Sequence, residues 1–198
     1  MDIYNRQETL KLKKPSITVV GCGGIGFWVC KFAAMSGIEK IFAFDNDVVE
    51  ESNLNRLDIP ESFIGKNKAD AVKQIVNHLR PDCSIYSMPF RFTENHKPGT
   101  DWLVDCTDNF ASQVKNQQIA KAQGMKYVKA GYDGEKFSIH NSVAEWGEAE
   151  DGYRIVPSWV VPAVIVASLT VAKIMKYDSS EIVSNINGVF KSNRVKDI

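Results

Sequence analysis

The 198-residue chain is predicted to be an α/β protein with a doubly wound, Rossmann-like sheet, parallel in its first half and mixed or antiparallel at its C-terminal edge. Three observations predict this. A glycine-rich segment, Gly21-Cys22-Gly23-Gly24-Ile25-Gly26, closes one apolar run and opens a helical one. Apolar strands and helical segments then alternate as far as Ala130, the mark of successive βαβ units. Beyond that point a period-two pattern and an Asn-Gly pair suit antiparallel strands.

The first strand is expected over Ser16–Val20 and the first helix over Ile25–Ser36, with Gly37 in the C-cap position. A second strand, Lys40–Phe44, ends at Asp45-Asn46-Asp47. Val48–Ile64 is polar and reads as irregular, long for a plain connection. Ala69, Val72, Ile75, Val76 and Leu79 share one face of a second helix, Lys66–Leu79, which Pro81 stops. A short strand, Ser84–Met88, and a loop over Thr93–Gly99 lead to the strand Trp102–Cys106. A helix from Phe110 to Gln123 ends at Gly124, and the strand Tyr127–Ala130 follows. Phe137–Trp146 alternates as an antiparallel strand does, and Trp159–Met175 reads as a long apolar helix. Ile182–Val195 reads as a hairpin turning at Asn187-Gly188. Residues 1–198 are expected to form a single domain, with 1–15 as an N-terminal arm.

Lys+Arg and Asp+Glu balance at 24 each, so no global field recruits nucleic acid, and an anionic ligand must be met by a local cluster. Cys22, Cys30, Cys83 and Cys106 contain no Cys-x-x-Cys pair, which reads as reduced thiols in a cytoplasmic protein with no structural zinc. His78, His96 and His140 lie far apart and supply no metal set. The N-terminus lacks the apolar core of a signal peptide. Ile155–Ala172 carries no charge, but Pro157, Ser158, Pro162, Ser168 and Thr170 argue against a membrane span, and a buried central helix has the same composition.

A backbone turning as tightly as the glycine segment needs residues without a Cβ, and it presents N–H groups to a phosphate at a helix N-terminus. Gly21, Gly23 and Gly26 fit the dinucleotide fingerprint, with Gly24 as an extra glycine; the simpler alternative is a plain tight strand–helix turn. Asp45, some twenty residues on, stands where a carboxylate meets ribose hydroxyls, or serves a turn-forming Asp-Asn-Asp. Asn53, Arg56 and Lys68 offer the amide and cations a triphosphate needs, whereas a nicotinamide cofactor needs few beyond the glycine loop; a solvated basic face is the alternative for the two cations. Asp108 follows the fourth strand, where one carboxylate can hold Mg²⁺ against phosphates, and Asp108 or Asn109 can equally cap the next helix.

The set Gly21–Gly26, Asp45-Asn46-Asp47, Ser52-Asn53-Leu54-Asn55-Arg56, Gly65–Ala69 and Asp105–Asn109, with the opening Tyr4-Asn5-Arg6-Gln7, resembles the ThiF/MoeB/ubiquitin-activating-enzyme superfamily in order and rough spacing. The resemblance implies an ATP- and Mg²⁺-dependent adenylyltransferase. Such enzymes activate the C-terminal carboxylate of a ubiquitin-like or sulfur-carrier protein, or of a peptide, and release pyrophosphate. By position, Gly21, Gly23, Gly24, Gly26, Asp45 and Asp47 would bind nucleotide, with Asp45 on the ribose. Asn53, Arg56 and Lys68 would hold the triphosphate, and Asp108 would take Mg²⁺. Arg6 would match the arginine that reaches the γ-phosphate from the other subunit of a homodimer.

The chain departs from that pattern in four respects. It lacks the two zinc-binding Cys-x-x-Cys pairs, and no cysteine follows Cys106. Leu57 stands where glutamine is common, and Gln113 where arginine is usual. Two other readings stay open: a non-catalytic nucleotide-binding scaffold, and a nicotinamide-dependent oxidoreductase resting on the glycines and Asp45.

Overall fold

The computed structural model describes residues 3–143 and 157–191. Its core is a seven-stranded sheet in the order β3-β2-β1-β4-β5-β6-β7, formed by β1 Ile17–Val20, β2 Lys40–Phe44, β3 Ser84–Met88, β4 Trp102–Asp105, β5 Lys126–Asp133, β6 Lys136–His140 and β7 Ile182–Asn185. The first five strands pair in parallel, and β6 and β7 run antiparallel. The helices are α1 Gly24–Met35, α2 Lys68–Leu79, α3 Phe110–Ala122, α4 Val160–Lys176 and α5 Ile186–Lys191.

Side chains alternate across a strand, so each central strand feeds two layers. Ile17, Val19, Ile41, Ala43, Val104 and Val128 face one layer, where α1, α2 and α4 contribute Phe27, Val72, Val166 and Ile174. Val20, Phe44, Leu103 and Tyr127 face the other, covered by Ile119 and Ala120 of α3 and by Phe92. All four β1 residues are buried, as expected of a parallel strand covered on both faces. The apolar α4 lies along α1 within the first layer, and no helix among the described residues is long and apolar enough to cross a membrane.

The polar stretch Val48–Ile64 is not wholly irregular: it holds two 3₁₀ turns, Glu51–Asn53 and Glu61–Phe63. β5 runs beyond Ala130 to Asp133 because β6 pairs with that extension, from Lys129↔His140 to Asp133↔Lys136. The last three residues of the expected Phe137–Trp146 strand lie outside the described residues.

The C-terminal hairpin expectation is overturned. β7 pairs with β6, and Asn187-Gly188 lie inside α5. The Asn185 side chain accepts the Gly188 N–H at 2.6 Å and so caps the helix in which the expected turn pair lies. Residues 192–195 of that expected hairpin lie outside the described residues.

Candidate functional site

Open parallel sheets present ligands beyond the carboxyl ends of their strands, where the chain order reverses. Here that point lies over β1, between β2 and β4. Gly21 leaves β1 with φ +88°, and a Cβ there would lie 3.0 Å from the Cys106 carbonyl oxygen. A Cβ on Gly26 would lie 1.8 Å from the Gly21 carbonyl oxygen, so α1 starts directly against the loop. Gly23 occupies the N-cap position with no side-chain cap, and nothing lies within 4 Å of where its Cβ would be. The first amides of α1 have no side-chain cap, the arrangement that receives a phosphate.

Asp45 is tied to this loop. Its carboxylate accepts the Cys22 N–H at 2.6 Å and the Asp47 N–H at 2.8 Å. Burial pushes its pKa above the usual carboxylate range, against the pull of those two amides and of Lys68. The half-buried carboxylate keeps lone pairs for ribose hydroxyls, so the ribose and turn readings coexist in one side chain.

Asn67 caps α2, accepting the Ala69 N–H at 2.8 Å and the Asp70 N–H at 3.3 Å, while its amide donates to the Asp45 and Asp47 carbonyls. This fixes the start of Lys68, whose ammonium pairs with Asp47 at 3.2 Å. Asn53 is buried, and its carbonyl oxygen accepts the Glu50 N–H at 3.3 Å, so here it holds its own 3₁₀ turn.

Arg56 stands over Gly24, where a Cβ would lie 3.1 Å from the arginine Cδ and 3.0 Å from the Tyr132 hydroxyl. Its guanidinium donates to the Ser52 carbonyl at 2.7 Å and to Asn55 Oδ1 at 3.0 Å, and no carboxylate pairs with it among the described residues. Trp28 donates to the Arg56 carbonyl at 2.8 Å, Asn55 donates to the Ser158 carbonyl at 2.9 Å, and Tyr132 is hydrogen-bonded to Ser158. These bonds hinge the arginine loop to α1 and to the start of α4. Trp28 and Tyr132 had no sequence signal beyond a helical apolar position and a strand end.

Asp108 is exposed beyond β4 and has no hydrogen bond or ion pair to a described residue. Its helix-capping alternative falls to Asn109, which accepts the Ser112 N–H at 2.9 Å. Gln113, at the position of the usual arginine, is buried and donates to the Thr107 carbonyl at 2.6 Å. Beneath this loop the buried Asp105 accepts from Thr107 N and Oγ1 at 3.0 and 2.7 Å, and from Asn116 and Tyr127 at 3.0 Å each. Lys129 of β5, its Cα partner, is half-buried, and burial lowers its pKa. Lys129 was missed in sequence; the available signal was a single charge inside an apolar strand.

Arg6 is not brought to this group. It lies in the 3₁₀ turn Asn5–Leu10, preceded by Tyr4, whose hydroxyl donates to Ala34 O at 3.1 Å near the far end of α1. A 12-residue helix spans about 18 Å, so Arg6 is anchored a helix length from the glycine loop of its own chain.

All four cysteines are free thiols. Burial pushes Cys83 up to about 12 and Cys106 well above the usual range, while hydrogen bonding with Cys30 and burial do the same to Cys22. No group of three metal-ligating side chains occurs among the described residues.

The ThiF family model matches residues 1–145. "Adenylyltransferase and sulfurtransferase UBA4" of Eremothecium gossypii is 34% identical over 140 residues, covering 67% of this chain and 31% of that protein. "Ubiquitin-like modifier-activating enzyme 5" of Caenorhabditis elegans is 27% identical over 180 residues, covering 83% of this chain and 42% of that protein. The chain thus spans less than half the length of these two relatives. Among solved structures, Escherichia coli MccB with SeMet MccA superposes with a TM-score of 0.78 at 22% identity, covering 93% of this chain and 65% of that one. MccB with ATP gives 0.73 at 21% identity, covering 88% and 65%. These likenesses show a shared fold, and with the matched sequence model they place the chain in the ThiF family.

Proposed function

We propose that the chain is an ATP- and Mg²⁺-dependent adenylyltransferase that activates the C-terminal carboxylate of a ubiquitin-like or sulfur-carrier protein, or of a peptide. The observation that carries this reading is Arg56: a guanidinium without a carboxylate partner, held over Gly24 beside an uncapped helix N-terminus. A nicotinamide cofactor needs few cations beyond its glycine loop, whereas a triphosphate needs several.

In this reading Asp45 orients the ribose, the first amides of α1 take phosphate oxygens, and Arg56 and Lys68 offset charge on the departing pyrophosphate. Asp108 suits Mg²⁺ because the ion favours one or two carboxylates together with phosphate oxygens, and this carboxylate is exposed and uncommitted. When bound, the ion neutralises negative charge on the phosphates. Tyr132, hydrogen-bonded to Ser158, stands against Gly24 on the side of the glycine loop that leads to α4. The four thiols, all buried or half-buried, are poor candidates for a thioester, so the adenylate passes to a nucleophile from elsewhere.

The chain is further proposed to act as a homodimer, with Arg6 completing the partner's site. Half-buried Trp28 and Phe32 and exposed Met35 on α1, with Val161, Ile165 and Leu169 on α4, form an apolar outer surface that supports this.

ATP–pyrophosphate exchange tests the activity. Label is expected to enter ATP only with Mg²⁺ and a carboxylate-bearing acceptor present. Tight Mg-ATP binding without exchange in the presence of the cognate acceptor would instead favour a nucleotide-binding scaffold.

A further inference from the structure

Among the described residues, Lys129 is an ammonium at the carboxyl edge of the sheet that the adenylation reading leaves without a task. Its Cα pairs with Asp105, the last residue of β4, and Asp105 pairs with Val20, the last residue of β1. β5 continues past this level to Asp133. The Lys129 Nζ lies 3.5 Å from the Cβ position of Gly131, so the amine runs up β5 past the level at which β4 ends.

This ammonium is half-buried and makes no hydrogen bond or ion pair with a described residue. Asp105 makes no contact-distance ion pair with it; the carboxylate acts on the ammonium through space, raising its pKa against the larger lowering by burial, while its own oxygens take four neutral donors. A partly desolvated ammonium without a contact partner is costly, and such a group at the sheet edge suits an external anion.

The position in the sheet says which anion. The glycine loop receives phosphate over β1, and Asp45 lies one strand further away, at the end of β2. Two strand spacings, about 10 Å, separate β1 from β5. Lys129 therefore stands on the far side of the glycine loop from Asp45.

Resting on the adenylation reading, we propose that Lys129 binds the carboxylate of the acyl substrate and positions it beside the nucleotide. An ammonium there offsets repulsion between carboxylate and phosphates while one carboxylate oxygen attacks the α-phosphorus. The new O–P bond forms as the bond to the bridging oxygen breaks, its electron pair leaving with pyrophosphate. No proton moves, and Lys129 stays charged. The mixed anhydride no longer carries the carboxylate charge, so the hold on the acyl group weakens once it has reacted.

The test uses the full chain labelled with ¹³Cε-lysine, with the Lys129 signal assigned by Lys129→Met. At fixed pH, millimolar glycylglycine is expected to shift that signal saturably. Glycylglycine amide should act at least tenfold more weakly, and Lys129→Arg should retain binding that Lys129→Met loses. Equal responses to acid and amide, or no response, would overturn the proposal. So would an acyl mass added to Lys129 after incubation with Mg-ATP and acceptor, since that makes it a nucleophile. Mg-ATP calorimetry runs alongside: a chain that takes the dipeptide carboxylate at Lys129 but not Mg-ATP loses the adenylation reading and keeps the carboxylate site.

Discussion

The Gly24 backbone and the Arg56 side chain are packed so closely that a Cβ on Gly24 would fall 3.1 Å from the arginine Cδ. Both near contacts, with the Arg56 Cδ and with the Tyr132 hydroxyl at 3.0 Å, are with side-chain ends, so Gly24→Ala displaces Arg56 and Tyr132 and leaves the backbone in place. Alanine also favours a helix over glycine by about 1 kcal/mol. The variant is expected to match or exceed wild-type resistance to urea while its Mg-ATP Kd rises about tenfold, a loss of ~1.4 kcal/mol. Calorimetry and urea unfolding on the same sample separate the two effects.

Gly26 behaves differently. A Cβ there would sit 1.8 Å from the Gly21 carbonyl, which is backbone and cannot swing aside. Gly26→Ala is expected to cost about 3 kcal/mol or more of stability, read from the urea midpoint.

Nucleotide affinity carries the signature of Asp45. Burial raises its pKa, so the carboxyl takes up a proton at a higher pH than the ordinary aspartate value of about 3.9. A protonated carboxyl loses acceptor capacity toward ribose. Mg-ATP binding is expected to weaken on acidification before ordinary aspartates protonate, and Asp45→Asn is expected to bind weakly with that pH step gone. Calorimetric titrations across the acid range check both.

The Asp105 network is a stability element beneath the site. Asp105→Ala strands donors from Thr107, Asn116 and Tyr127 and is expected to cost about 3 kcal/mol. Tyr127→Phe removes one of these bonds and should cost about 1–2 kcal/mol. Because burial and Asp105 push Tyr127 well above the usual tyrosine range, its phenol should stay un-ionised in alkaline titrations of the folded chain.

The thiols offer a further check. With Cys83 pushed up to about 12, and Cys22 and Cys106 raised by their surroundings, native protein is expected to react slowly with Ellman's reagent. Denaturation in guanidinium should expose four reactive thiols per chain.

The parts of this molecule legible in the sequence are those fixed by short-range chemistry. β1, the glycine turn, α1 and Asp45 lie within one βαβ unit, where apolar runs and missing Cβ atoms act locally. What was not legible depends on partners distant in the chain. The Asn187-Gly188 pair carries a turn signal, but β7 finds its partner in β6 and Asn185 caps α5. The extension of β5 is set by its pairing with β6, and the place of Lys129 at the sheet edge by its register with Asp105.

The claim that this site is built for a triphosphate is tested most directly by calorimetric titration of wild-type chain and Arg56→Ala with Mg-ATP and with NAD. Wild type is expected to bind Mg-ATP and to show no saturable heat with NAD. Arg56→Ala should lose at least tenfold in Mg-ATP affinity while unfolding at the wild-type urea concentration. Saturable NAD binding tighter than that of Mg-ATP, or Mg-ATP affinity unchanged by Arg56→Ala, would contradict it.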